Sequence, residues 1–344
     1  MLATALVAVF SVCVLSACDE PEWFHRILES EPVETVAQEM LPHAVVDPAD
    51  VPHFMDEGLA LPGEGDVTEE FLAMERQVVI NIHRFEDAAA IITDLPSGTS
   101  ELATFGTFYI TDERLASIQR ELELIDNGRF DMGFLLIDLE TGAGLQYRID
   151  EVFFSASSIK AINLCAILYY HPEAFSQFRV HFQRALQSSN NESYELIFNS
   201  FSDNIPNLWR ARVGMGTQKW GRMFTGLTCR DMARLWCVTW DYLSQDTDIT
   251  RDLHVWLGNS RHSCLAKVLG SRDGYQVTAK PGWNPDPTEA DTSSVEGGYV
   301  VSPDGTYLLV MMSDRASYPD DLFEDLVTLL DEAYQEYAPR KERI

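Results

Sequence analysis

Phe154-Ser155-Ala156-Ser157-Ser158-Ile159-Lys160, running on into Ala161-Ile162-Asn163-Leu164-Cys165, is the stretch on which the reading of this chain turns. Small hydroxyl residues open an apolar run that reads as a buried helix from Ser157 to Tyr170. Ser157 and Lys160 stand one helical turn apart, so the amine can lie beside the hydroxyl. Such a pair works as nucleophile and base when the lysine is neutral, a state that burial and neighbouring cations favour by penalising the ammonium. A Ser-x-x-Lys alone is a weak signal, and its weight comes from its surroundings.

Working outward, the upstream flank begins with Thr111-Asp112-Glu113, an N-cap pattern for a helix that continues through Leu115, Ile118, Leu122 and Ile125. Two strand candidates follow, Met132 to Leu139 and Gly144 to Ile149, joined by Glu140-Thr141-Gly142 as a hairpin. Downstream the texture is helical to about Leu269. Strands return at Tyr275 to Lys280, Gly297 to Val301 and Tyr307 to Met312. An amphipathic helix from Asp320 to Tyr337 closes the chain, with Leu322, Leu326, Leu329 and Leu330 on one side. The expected fold is therefore α/β of the α+β kind. One antiparallel sheet is built from both ends of the domain and flanked by its N- and C-terminal helices, and the middle forms an all-helical lobe. A ligand crevice belongs between sheet and lobe.

Two further motifs follow in order. Ser188-Ser189-Asn190 comes after an amphipathic stretch through Phe182 and Leu186, and Val277-Thr278-Ala279-Lys280-Pro281-Gly282-Trp283 reads as a strand ending in Lys-x-Gly. Ser-x-x-Lys, Ser-x-Asn and a late Lys-x-Gly in that order resemble the signature set of class A β-lactamases and penicillin-binding proteins. The helix start Leu227-Thr228-Cys229-Arg230-Asp231-Met232-Ala233 is similar to a stretch common in that superfamily, and the resemblance spans about Ile110 to Tyr337. It implies an exported serine hydrolase that acts through an acyl-enzyme on a β-lactam or an acyl-D-Ala-type cell-wall peptide. In that scheme Ser157 attacks, Lys160 takes its proton and Ser188 relays it. Asn190 holds the substrate amide, and Lys280 supplies positive potential for a substrate carboxylate. The backbone N–H groups of Ser157 and Trp283 form the oxyanion hole, and Gly282 leaves room for the substrate. No metal or organic cofactor is called for.

Three departures bear on function. A second Ser-x-Asn, Ser202-Asp203-Asn204, competes with Ser188, but Pro206 follows it at once, whereas Asn191 to Phe198 continues as a helix after the earlier site. Between Asp203 and Asp231 there is no Asp or Glu, so the glutamate with which class A enzymes activate the deacylating water has no counterpart there. Pro281 stands where Thr or Ser is usual, which removes a hydroxyl that would bond a substrate carboxylate. The rival expectation is a non-catalytic lipoprotein that keeps the fold and binds muropeptide or antibiotic.

The 344 residues carry 54 acidic and 25 basic side chains, a formal charge of -29 that repels nucleic acid. An apolar run from Leu2 ends in Leu15-Ser16-Ala17-Cys18, which resembles a lipoprotein signal peptide over residues 1–18 with Cys18 as the lipidated residue. Residues 19–105 read as an acidic spacer and a less defined N-terminal segment, with Arg26 the only Lys or Arg before Arg76. Residues 106–340 form the hydrolase-like domain. The expectation is a monomer outside the cytoplasm, held to the membrane through its lipid alone. Of Cys165, Cys229, Cys237 and Cys264, one disulfide from Cys264 to Cys229 or Cys237 and four buried free thiols are equal alternatives.

Overall fold

A computed structural model describes residues 85–98, 100–201, 204–216, 224–288 and 291–339. The expected leader with Cys18, the N-terminal segment through residue 84, and Ser202 and Asp203 lie outside the described residues.

Six strands form one antiparallel sheet: β1 (Ala103–Phe105), β2 (Met132–Asp138), β3 (Gly144–Tyr147), β6 (Gln276–Asn284), β7 (Ser293–Ser302) and β8 (Gly305–Ser313), in the order β1-β3-β2-β8-β7-β6. Early and late strands of the sheet meet where Met132 of β2 pairs with Ser313 of β8. A separate pair, β4 (Val152–Phe154) with β5 (Gly226–Thr228), lies beside the serine turn.

Both faces of the sheet are buried, and the strands divide their side chains between two cores as the pleat requires. Leu135 and Ile137 of β2 with Leu308, Val310 and Met312 of β8 enter one core. Phe134 and Leu136 with Tyr307, Leu309 and Met311 enter the other. The second core is covered by α2 (Asp112–Ile125), α9 (Cys264–Leu269), α10 (Pro319–Leu322) and α11 (Glu324–Tyr337). Thr111 caps α2 through its side chain, as its position before Asp112 predicts. The first core is covered by the helical lobe: α3 (Ile159–Tyr170), α4 (Ala174–Gln187), α5 (Asn191–Asn199), α6 (Ile205–Ala211), α7 (Cys229–Leu243) and α8 (Asp248–Gly258). Pro206 starts α6 instead of ending a helix, a first-turn position where its missing N–H costs nothing.

A further helix, α1 (Phe85–Asp94), packs on α7. Arg230 fixes it there, although its side chain is only 10% exposed. Its guanidinium donates to Asp150 Oδ1 and Oδ2 at 2.6 and 3.1 Å and to the carbonyls of Ile92 and Pro96. Ile92 lies in the last turn of α1, whose final carbonyls have no intrahelical partner, and Pro96 just past its end. Arg230→Ala strips several buried acceptors of donors at once, so urea denaturation is expected to show a loss of about 3 kcal/mol. The four described cysteines are buried free thiols, the undecided alternative that the fold adopts.

Candidate active site

Ser157 sits in a single 3-10 turn, Ala156–Ser158, at the head of α3. The residue before it, Ala156, has φ +42°, a left-handed value that costs a residue with a β-carbon about 1–3 kcal/mol. The surroundings hold this strain in place. Ser155 N–H donates to Thr225 O at 2.9 Å, Thr225 N–H returns to Ser155 Oγ at 3.3 Å, and Ser158 Oγ donates to Ser155 O at 2.6 Å. Ala156 and Ser158 are buried while Ser157 keeps partial exposure. The turn therefore presents one hydroxyl.

Strand β6, at the sheet edge, lies against this turn. A Cβ on Gly282 would stand 2.6 Å from Ser157 N and 2.5 Å from Ser158 N, so only glycine allows the approach. The strand runs through Pro281 to Asn284, past the Lys-x-Gly with which the sequence reading ended it. An edge strand tolerates a residue without an N–H. Gly282 is thereby brought against the backbone of Ser157, one residue before Trp283, the other backbone expected to share its role.

Lys160 is fully buried and donates to Asn191 Oδ1 at 2.6 Å and to Ser189 O at 2.7 Å. Its ammonium also faces the rings of Tyr194 and Phe224, at 5.4 and 5.8 Å. Burial pulls its pKa down to about 7. Lys280, also fully buried, donates to Ser189 Oγ at 3.2 Å and to Pro281 O at 3.0 Å. Desolvation, with the charge of Lys160 adding to it, lowers the Lys280 pKa well below the usual lysine range.

These contacts move the second motif by one residue. The side chains that meet the two lysines belong to Ser189 and Asn191, not to Ser188 and Asn190. Ser188 ends α4 as an exposed C-cap with its N–H on Arg184 O. Ser189 then turns through φ +59°. Asn190 points its Oδ1 back to Ser193 N at 2.7 Å as the N-cap of α5, which makes Asn191 the first helical residue. The sequence offered a signal, since Asn three residues before Ser193 is a capping position.

A second residue went unread. Glu296 of β7 is fully buried, directly across from Pro281 in the register. It accepts from Ser263 Oγ and from the N–H groups of Cys264 and Leu265. Burial raises its pKa to about 7 against those donors and the nearby Lys280. A cavity of about 520 Å³ at the opposite end of β6, lined by Trp240, His254, Thr278 and Tyr299 among others, contains none of these residues.

The fold has close structural counterparts. The chain is similar to a β-lactamase from Sphaerobacter thermophilus (12% identity, TM-score 0.53, covering 64% of this chain and 98% of that one). It is also similar to a β-lactamase from Burkholderia phymatum (14%, 0.52, 65% and 99%). A mutant of the last common ancestor of Gram-negative bacteria class A β-lactamase matches as well (15%, 0.51, 64% and 99%). At these identities the likeness establishes the fold, which is that of the serine β-lactamases and penicillin-binding proteins. No protein-family model and no curated protein matches the sequence.

Proposed function

We propose that this chain is a serine hydrolase that forms an acyl-enzyme through Ser157. The observation that carries the reading is the hydrogen-bonded run Lys160, Ser189, Lys280 beside a strained turn that exposes Ser157. Lys160, with its pKa brought to about 7, accepts the Ser157 proton. Ser189, fed by Lys280, passes a proton to the leaving atom, and the N–H groups of Ser157 and Trp283 hold the oxyanion. Asn191 gives its Oδ1 to Lys160 and is exposed, so its amide N–H groups remain for the acyl side chain. With no acid between Asp203 and Asp231, the acyl-enzyme forms faster than it hydrolyses. The substrate is a β-lactam-like or acyl-D-Ala-like carbonyl compound. The same proposal places the domain outside the cytoplasm as a monomer, tethered through Cys18, on the strength of the Leu15–Cys18 tetrad and the acidic spacer.

The pH profile tests it. A neutral Lys160 is needed as base, so the second-order acylation rate, read by intact mass, is expected to rise with pH and level off with a midpoint near 7. Acylation that is flat in pH through this range would remove Lys160 from the base role.

A further inference from the structure

Side chains alternate along β6, so Lys280 and Gly282 face the serine turn while Pro281 and Trp283 face the other way. On that second face Glu296 lies across from Pro281. Trp283 meets His262 edge to face at 4.9 Å, and His262 stacks on Tyr318 at 4.2 Å. The His262 ring, at a residue with φ +61°, has its Nδ1 on Asp320 at 3.1 Å. The N–H of neighbouring Arg261 donates to Gln187 O at 2.8 Å, which ties this wall to the chain just before Ser189. A cluster of rings thus lies on the face of β6 turned away from the serine turn, around Trp283, whose N–H the proposed oxyanion hole uses.

The chemistry of this wall is wrong for a carboxylate. Pro281 offers no hydroxyl. Lys280 is fully buried with its donors on Ser189 and Pro281, and Glu296 sets an acid close enough to influence it. His262 is already matched with Asp320. The net charge of -29 adds a long-range penalty for any anion approaching. Trp283, His262 and Tyr318, each partly exposed, instead offer ring surface.

We infer that the leaving-group side of the crevice, walled by Trp283, His262 and Tyr318 with Pro281 and Glu296 behind them, selects an uncharged, preferably aromatic leaving group over one bearing a carboxylate. This rests on the acyl-enzyme reading of Ser157 and, of the substrates proposed there, sets aside the acyl-D-Ala class, leaving β-lactam-like, ester and amide carbonyls whose leaving group carries no carboxylate.

The test uses matched pairs on the whole protein. Benzylpenicillin is compared with its methyl ester, and the 3-carboxyphenyl ester of phenylacetylglycine with the phenyl ester, each by rate of acyl adduct formation at Ser157. A fluorophosphonate, which needs no leaving-group recognition, reports separately on the nucleophile. The expected result is a rate at least about 10-fold higher for the uncharged member of each pair that reacts, with Trp283→Ala bringing the ratio towards one. Equal or faster reaction of the carboxylate members overturns the inference while leaving the acyl-enzyme intact. If that preference is lost on Arg261→Ala, the carboxylate anchor belongs to this exposed guanidinium. Labelling by the fluorophosphonate but by no member of either pair also overturns it, because an aryl leaving group is what the wall should accept. Failure of the fluorophosphonate itself removes the acyl-enzyme reading.

Discussion

Lys160→Met is expected to lower the rate of acyl adduct formation by about 10²- to 10⁴-fold, the range a general base contributes, while the protein melts at or above the temperature of the parent. The two halves of this result come from one cause. Lys160 is fully buried, and its amine is held between Ser189 O, Asn191 Oδ1 and two aromatic rings. Keeping a cation there is costly, which is why its pKa falls to about 7, and an apolar side chain of similar length removes that cost. Ser157→Ala goes further and leaves no adduct at all, since no other hydroxyl is presented by the turn. Intact mass against time and a thermal melt read both variants. A Lys160→Met protein that is destabilised yet acylates normally would show the lysine to be a structural group.

The parts of this fold that rest on local pattern were open to reading from the sequence. Thr111 announces α2, the hairpin at Glu140-Thr141-Gly142 announces β2 and β3, and the apolar run after Ser157 announces α3. What escaped depends on contacts far away in the chain. Ala103–Phe105 is a three-residue strand defined by its pairing with Gly144 to Gln146, not by any pattern of its own. Glu296 looks like an acid at a strand margin until Ser263 and two backbone N–H groups close around it. The strand across from it continues through Pro281 because β6 happens to be the sheet edge, a property of topology. Of the site, Gly282 lies against the Ser157 turn and Lys160 and Lys280 meet at Ser189, whereas the serine and asparagine side chains that contact the lysines stand one place later than the middle motif was read.

That misreading yields a sharp comparison. Ser188-Ser189-Asn190-Asn191 contains Ser-x-Asn in two overlapping frames, and only the backbone decides between them. The left-handed Ser189 swings its own hydroxyl to Lys280 and leaves Ser188 exposed at the end of α4. Ser189→Ala is therefore expected to slow acylation by about 10²-fold or more, the scale of a lost proton relay, while Ser188→Ala changes it little. The two asparagines should separate along another axis. Asn190→Ala removes the cap of α5 and is expected to cost about 1 kcal/mol of stability with catalysis intact. Asn191→Ala removes one of the two acceptors that hold Lys160, so its effect falls on the rate and on the pH midpoint near 7. The midpoint is the more telling readout, because a purely structural asparagine would not shift it. The opposite pattern, with Ser188 and Asn190 carrying the rate, would mean that the turn reverses its frame when substrate binds, and that the lysine contacts described here belong to a resting state.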